Sequence, residues 1–112
     1  MVIVLVFIMG YCMIEVAFDN KNELDSVIEV LLKNKLVASC QVIESKNKWN
    51  WKGQLEEAEE YLLLIKTKKC LIKEVYQVIK NIHSYDCFEF AIFDFTSCDN
   101  EYLKWIEEET KN

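Results

Sequence analysis

The spacing of apolar residues along the chain predicts two long helices between stretches of extended backbone. Apolar residues recur at intervals of three and four from Leu24 to Leu32, which places them on one side of a helix. Asn20 stands where it can cap this helix, and Glu23 can reach back to the amide of the cap residue. The same periodicity predicts a second helix over residues 67–82.

Four further stretches are rich in β-branched and aromatic residues and predict strands. They are Tyr11–Phe18, Leu36–Ile43, Tyr61–Lys66 and Phe88–Phe95. Trp49 and Trp51 alternate, so in an extended segment they point to the same side, and the sequence from Lys52 to Gln54 predicts a turn directly after them. Residues 44–50 are polar and fit either a turn or one arm of a hairpin.

The predicted order is β-α-β-β-α-β, followed by a last helix that Asp99 or Asn100 can cap. This order is typical of an α+β, ferredoxin-like sandwich, with a four-stranded antiparallel sheet and both main helices on one face. The predicted strand at Phe88–Phe95 is apolar on both sides, so the second face of the sheet also needs cover. Oligomerisation through that face would provide it.

The length of 112 residues suits one domain, which we place at residues 11–112. Residues 1–10 are apolar and uncharged, and they are interpreted as an N-terminal extension or an extra strand. The uncharged stretch over residues 1–14 is shorter than the roughly 20 residues that a membrane-spanning helix needs. It also lacks the basic start and the cleavage site of a secretory signal, so no membrane association is expected.

The net charge and the cysteine content indicate which binding partners and which cellular compartment are expected. Nineteen acidic residues against thirteen basic ones give a net charge of −6, which disfavours binding to nucleic acid. The five cysteines are odd in number and contain no CxxC pair, so the sequence predicts free thiols in a reducing, cytoplasmic setting. The chain has one histidine and none of the common catalytic or phosphate-binding motifs, so neither an enzyme nor an organic cofactor is expected.

Five stretches of the chain match one family in the same order, and they are Leu36–Cys40, Trp49–Glu57, Glu60–Thr67, Ile82–Glu89 and Asn100–Ile106. They resemble the CutA family of divalent-cation tolerance proteins. The first is similar to the family's lysine-leucine-alanine-alanine-cysteine segment, the second to its tryptophan-lysine-glycine hairpin, and the fourth to its histidine-proline-tyrosine-glutamate turn. Ser84 and Phe88 stand where the family usually has proline, and Glu15 stands where some relatives have a cysteine.

The resemblance implies a ferredoxin-like fold assembled as a tight homotrimer. It also implies a link to divalent-metal tolerance, and copper binding has been attributed to family members. Because position 15 carries a glutamate instead of that cysteine, the assignment of copper binding is weakened, whereas the assignment of the fold is not affected.

His83, Glu89 and Cys40 are the candidate metal ligands. Imidazole and thiolate suit copper or zinc, and a carboxylate can complete the set. The resemblance covers His83 and Glu89 in particular. Alternatively, Cys40 is a small apolar filler of a strand and His83 bonds the last carbonyls of a helix. Glu89 alternates with apolar neighbours, so it should face a partner subunit or a shared cleft.

The sequence also offers weaker candidates for a functional role. Cys87 lies beside the histidine turn and could join a soft-metal set. The segment from Trp51 to Gly53 could shape a small-molecule pocket or bury itself against a neighbouring subunit. Tyr85 and Lys66 could contact an anionic ligand, or they could be a packed tyrosine and a surface lysine.

Three functions are therefore open. The first is a trimeric protein that binds copper or another divalent ion and so supports tolerance to it. The second is a regulatory trimer resembling nitrogen-regulatory proteins, although the chain lacks a glycine-rich phosphate loop. The third is a scaffold that docks an unidentified protein partner and has no metal site of its own.

Overall fold

Four antiparallel strands form the main sheet of the computed structural model, which describes residues 5–6 and 10–112. The strands are β1 (Leu5–Val6), β2 (Tyr11–Phe18), β3 (Ser39–Trp51), β4 (Gln54–Lys68), β5 (Ala91–Asp94) and β6 (Cys98–Asp99), and the helices are α1 (Lys21–Lys33), α2 (Ile72–Ile82) and α3 (Asn100–Glu109). The main sheet has the order β3-β4-β2-β5. The prediction of an α+β domain with a four-stranded antiparallel sheet is thus confirmed.

One face of the sheet and the two long helices enclose the core. Alternate residues of β2 are fully buried there, together with the apolar sides of α1 and α2. The main contributors are Cys12, Ile14, Val16, Phe18, Leu24, Val27, Leu31, Leu63, Ile65, Val75 and Ile79. The periodicity of both helices predicted this buried side, but Leu32, which ends the predicted stripe of α1, is 43% exposed.

The start of the second helix differs from its prediction. Thr67 and Lys68 end β4, a short 3-10 helix covers Lys69–Leu71, and α2 begins only at Ile72. The Thr67 hydroxyl donates to the carbonyl oxygen of Leu36 over 2.6 Å, and its backbone pairs with Cys12. These long-range bonds hold Thr67 in the sheet.

The strand predicted at Phe88–Phe95 is also shorter, since only Ala91–Asp94 pairs with β2. Phe88 and Phe90 instead pack on Tyr76 of α2, with ring centroids 5.8 Å and 5.1 Å apart. Aromatic packing therefore replaces the ladder in this segment.

A long hairpin joins β3 and β4. Residues 44–50 form one arm of it rather than a turn, and every residue of β3 is paired with β4. The chain reverses at Lys52 and Gly53, whose φ angles of 48° and 81° are those of the tight turn that suits a two-residue hairpin loop. Trp49 and Trp51 lie on the same side of this hairpin, as predicted.

The second face of the sheet carries neither α1 nor α2. Met13, Glu15 and Ala17 of β2 share it with Leu62 and Leu64 of β4. It also includes Ile43 and Phe93, which are half exposed at 49% and 46%. This face is apolar and open within one chain.

The C-terminal helix closes one end of the sheet. Asp99 caps α3 by accepting from the backbone N–H groups of Glu101 and Tyr102 at 3.2 Å and 3.4 Å. Glu107 accepts a hydrogen bond of 2.9 Å from the Tyr11 hydroxyl and pairs with the Lys68 ammonium at 3.7 Å.

Leu5 and Val6 pair with Asp99 and Cys98 as a separate antiparallel pair of strands. The rest of the predicted extension at residues 1–9 lies outside the described residues. None of the helices that the structure describes is long and apolar enough to cross a membrane.

Candidate functional site

The candidate site is built around the turn that follows α2. His83 begins this turn and is 8% exposed. Its ring stacks on Phe18, with centroids 4.4 Å apart, and on Phe88, with centroids 4.9 Å apart. The imidazole is thus part of the aromatic core where β2 ends.

Both ring nitrogens of His83 have partners within the chain. Nε2 lies 2.7 Å from the carbonyl oxygen of Ala17, so the ring proton resides on Nε2 and is donated to that oxygen. Nδ1 accepts from the backbone N–H of Tyr85 over 3.1 Å. The ring therefore bonds β2 and its own turn, rather than the last carbonyls of α2.

A contact from α1 holds the same turn. The Glu23 carboxylate accepts from the backbone N–H of Ser84 over 2.6 Å. Asn20 accepts from the N–H of Glu23 over 3.0 Å, as predicted for a cap, but the Glu23 side chain does not complete the reciprocal bond. The carboxylate is used instead to fix the turn between His83 and Tyr85.

Glu60 is a buried carboxylate beside this turn, 5% exposed. The side-chain amide of Asn47 donates to one of its oxygens over 2.7 Å, and the Tyr85 hydroxyl donates to the other over 3.1 Å. Burial raises the pKa of Tyr85, and the charges of Asp19 and Glu60 raise it further. Tyr85 is therefore a hydrogen-bond donor at neutral pH and not a phenolate.

Glu89 lies close to Glu15 on the open face of the sheet. Glu15 is directly opposite Ala91 in the ladder, and Glu89 comes two residues before Ala91 along the chain. Although Glu89 is partly exposed, burial of its carboxyl group raises its pKa to about 7, helped by a hydrogen bond from one carboxyl to the other, by the charge of Glu15 and by that of Glu60.

This pair predicts a pH-dependent stability. The pKa of Glu89 is raised from 4.5 to about 7, so its contribution to stability is fully present below pH 4.5 and is lost as the pH rises through 7. We expect Glu89→Gln to match the wild type at low pH and to exceed it by about 1 kcal/mol at pH 8, a figure reduced for solvent screening. Urea unfolding across this pH range measures the difference, and the exposed Glu108→Gln is the control. A constant difference at all pH values would contradict the prediction.

A cavity of about 550 Å³ opens over Glu60 and Glu89. Its walls come from the hairpin and from the turn after His83. Trp49 and Trp51 form one side, and Tyr85, Cys87 and Phe88 are on the other. Glu89 is among the residues that line this cavity.

Cys40 lies apart from this cleft. It pairs with Ile65 in the sheet and packs against the core, and burial raises the pKa of its thiol to about 12. Lys66 donates to the side-chain oxygen of Gln41 over 2.7 Å and does not line the cavity with Tyr85. Within residues 5–6 and 10–112, no three His, Cys, Asp or Glu side chains are grouped closely enough to hold a metal ion.

Glu15, Glu60 and Asn47 were not among the candidate ligands predicted from the sequence, and Glu23 was expected only in a capping box. Glu15 carried a signal, because it is the one charged residue in the apolar run Tyr11–Phe18. Glu60 was hidden in a run of acidic residues that reads as a solvated surface.

Comparison with known proteins identifies the family. The profile described as "CutA1 divalent ion tolerance protein" matches residues 12–109. The divalent-cation tolerance protein CutA of Pyrococcus horikoshii is 33% identical over 94 residues, which cover 84% of this chain and 92% of that protein. A CutA homologue of Danio rerio is 32% identical over 80 residues, which cover 70% of this chain and 53% of its own length.

Solved structures agree with the sequence matches. CutA1 from Pyrococcus horikoshii superposes with a TM-score of 0.84 at 30% identity, covering 90% of this chain and 99% of that one. CutA from Synechococcus elongatus has a TM-score of 0.89 at 14% identity, covering 96% of each chain, and supports the fold alone. The matched range, the archaeal relative and the fold agree, and the chain belongs to the CutA1 divalent ion tolerance family.

Proposed function

We propose that this protein supports divalent-cation tolerance by binding a divalent metal ion, with Glu89 and Glu15 as its first ligands. The observation that carries the proposal is the carboxyl pair itself: Glu15 lies opposite Ala91, two residues from Glu89, and its carboxyl group helps to raise the pKa of Glu89. Like charges this close repel unless a proton or a cation lies between them. A divalent ion would take the place of the shared proton, and carboxylate oxygens are suitable ligands for it.

The other predicted ligands, His83 and Cys40, would each have to lose a favourable interaction or state in order to bind a metal ion. His83 can offer a ring nitrogen only after it breaks its bond with Ala17 or with Tyr85. Cys40 would bind as a thiolate, which its burial disfavours. Cys87 is exposed and lines the same cavity as Glu89, so it is the better placed thiol for copper or another soft ion.

We further propose a ferredoxin-like homotrimer in which neighbouring subunits complete the ligand set. The strand order and the packing of α1 and α2 with one face of the sheet support the ferredoxin-like part of this proposal. The open apolar face with Ile43 and Phe93 supports assembly, since monomers seldom leave such a surface exposed. Donors from a second chain would add to the two carboxylates.

The free cysteines of the described chain support a reducing, cytoplasmic location. Relatives are named for other compartments, one chloroplastic in Arabidopsis thaliana and one periplasmic in Archaeoglobus fulgidus. Fractionation of cells that express the native chain would test this part of the proposal.

The internal bonding of His83 favours a second candidate, a trimeric regulatory protein or protein-docking scaffold with no metal site of its own. In that case the histidine is purely structural, because both of its ring nitrogens are already used. Metal affinity separates this candidate from the first.

Calorimetric titration with Zn(II), Cu(II) and, under reducing conditions, Cu(I) tests the metal proposal. We expect stoichiometric binding that tightens as the pH rises through 7, because the metal must displace the proton held by the carboxyl pair. Glu89→Gln and Glu15→Gln should each weaken binding by about tenfold or more, the range seen when a site loses a supporting group.

Glu108→Gln is the matched control, since it removes one carboxylate from an exposed position on α3. Light scattering of the same samples reports whether the oligomer is intact. Binding that is unchanged in Glu89→Gln, or the absence of binding by an intact oligomer, would exclude this site and favour the scaffold.

A further inference from the structure

The lining of the cavity combines aromatic rings with carboxylates. Four of its residues are aromatic and four are acidic, and none of the described residues that line it is basic. The aromatic ones are Trp49, Trp51, Tyr85 and Phe88. The volume of about 550 Å³ falls in the range of small-molecule sites.

Glu60 contributes a buried carboxyl group to this cavity. It is 5% exposed and receives hydrogen bonds from Asn47 and Tyr85, yet within the described part of the chain it forms no ion pair. A buried carboxylate is costly without a cation, and hydrogen bonds from neutral groups offset only part of that cost. A positively charged ligand would supply the missing partner.

The hairpin shows how a tryptophan at this site contacts an ammonium group. The Lys52 side-chain nitrogen lies 5.4 Å from the centroid of the Trp51 ring. This separation is within the range of cation–π attraction. Trp51 is 48% exposed and already carries an ammonium group against its ring, so an organic cation that displaces Lys52 would meet the same surface.

We propose that this cavity binds a small organic ammonium ion, held by the faces of Trp49 and Trp51 and neutralised by Glu60. Aromatic walls with nearby carboxylates are the surroundings that alkylated ammonium groups favour. A bare metal ion instead needs several donor atoms converging on one point. The inference goes beyond metal binding and does not depend on it.

Tryptophan fluorescence can test the proposal with choline as the probe. Trp105 lies on α3 outside the cavity, so a Trp105→Phe background leaves the emission of Trp49 and Trp51 alone. With EDTA present to remove metals, we expect choline to change this emission saturably, with a Kd in the millimolar range or about 4 kcal/mol of binding energy. The uncharged analogue 3,3-dimethyl-1-butanol should not do so.

Two variants separate the aromatic from the electrostatic contribution. Trp51→Leu and Glu60→Gln should each weaken choline binding by about five- to tenfold, whereas Glu108→Gln should not change it. Trp51 is on the exposed hairpin, so its variant remains informative if Glu60→Gln fails to fold. Ethanolamine in place of choline shows whether alkylation of the ammonium matters.

The proposal is overturned if choline up to about 50 mM gives no saturable change. It is also overturned if the neutral analogue binds equally well, or if potassium chloride reproduces the response. Loss of binding in Trp51→Leu, with the oligomer intact by light scattering, supports it.

Discussion

Replacing Phe18 with alanine should lower the free energy of unfolding by about 4 kcal/mol, one of the two largest effects we expect in this chain. Phe18 ends β2 with no exposed surface, and its ring packs 4.4 Å from that of His83. Truncation removes its buried surface, opens a void in the core and leaves one side of the imidazole without a partner. Urea unfolding at a fixed protomer concentration measures the loss.

Two further variants make this prediction specific. Phe18→Leu keeps most of the volume and should cost about 1.5 kcal/mol. Ile92→Ala removes a large apolar side chain that is 45% exposed, and it should cost less than about 1 kcal/mol in the single chain. If Phe18→Ala cost no more than Ile92→Ala, the end of β2 would not be the support for the histidine turn.

The elements that were predicted correctly from the sequence are those whose conformation depends mainly on neighbouring residues in the chain. The strand Tyr11–Phe18 and the apolar side of α1 were predicted because alternation and helical periodicity act within a few neighbouring residues. Thr67 was assigned to a helix because the residues that follow it have a helical apolar periodicity. Its hydroxyl bond to Leu36, a contact across 31 residues, keeps it in the sheet.

In the candidate site, too, some residues could be predicted from the sequence, whereas the contacts they make over long distances in the chain could not. His83 and Glu89 were singled out by the family resemblance and, for Glu89, also by its alternation with apolar neighbours. Their partners could not be predicted. Ala17 and Glu15 are more than sixty residues earlier in the chain, and Ala17 is reached by the His83 ring, whereas the pairing of β2 with β5 brings Glu15 near.

Glu23 illustrates why local rules mislead at such a site. Its spacing from Asn20 is that of a capping box, and half of that box is present. The turn at Ser84 offers a backbone N–H that has no other partner in the described chain, and the carboxylate accepts it at 2.6 Å. A contact needed by the tertiary fold thus replaces a local one of similar chemistry.

Replacing His83 with alanine is expected to cost about 3 kcal/mol of unfolding free energy. The ring stacks on Phe18 and Phe88, and truncation would leave the Ala17 carbonyl oxygen buried without a donor. His83→Phe keeps an aromatic ring in place but loses both hydrogen bonds, so it should cost about 1.5 kcal/mol. Urea unfolding of the two variants separates packing from hydrogen bonding.

The same pair of variants separates a structural histidine from a metal ligand. If metal binds to folded His83→Phe as tightly as to the wild type, His83 positions the turn and the carboxyl pair holds the ion. If metal affinity falls at least tenfold while Glu89→Gln has no effect, the ring nitrogen is the ligand and the carboxylate proposal fails. A change in stability below about 0.5 kcal/mol in both variants would contradict the structural role, because a ring stacked between two aromatics with both nitrogens bonded cannot be removed so cheaply.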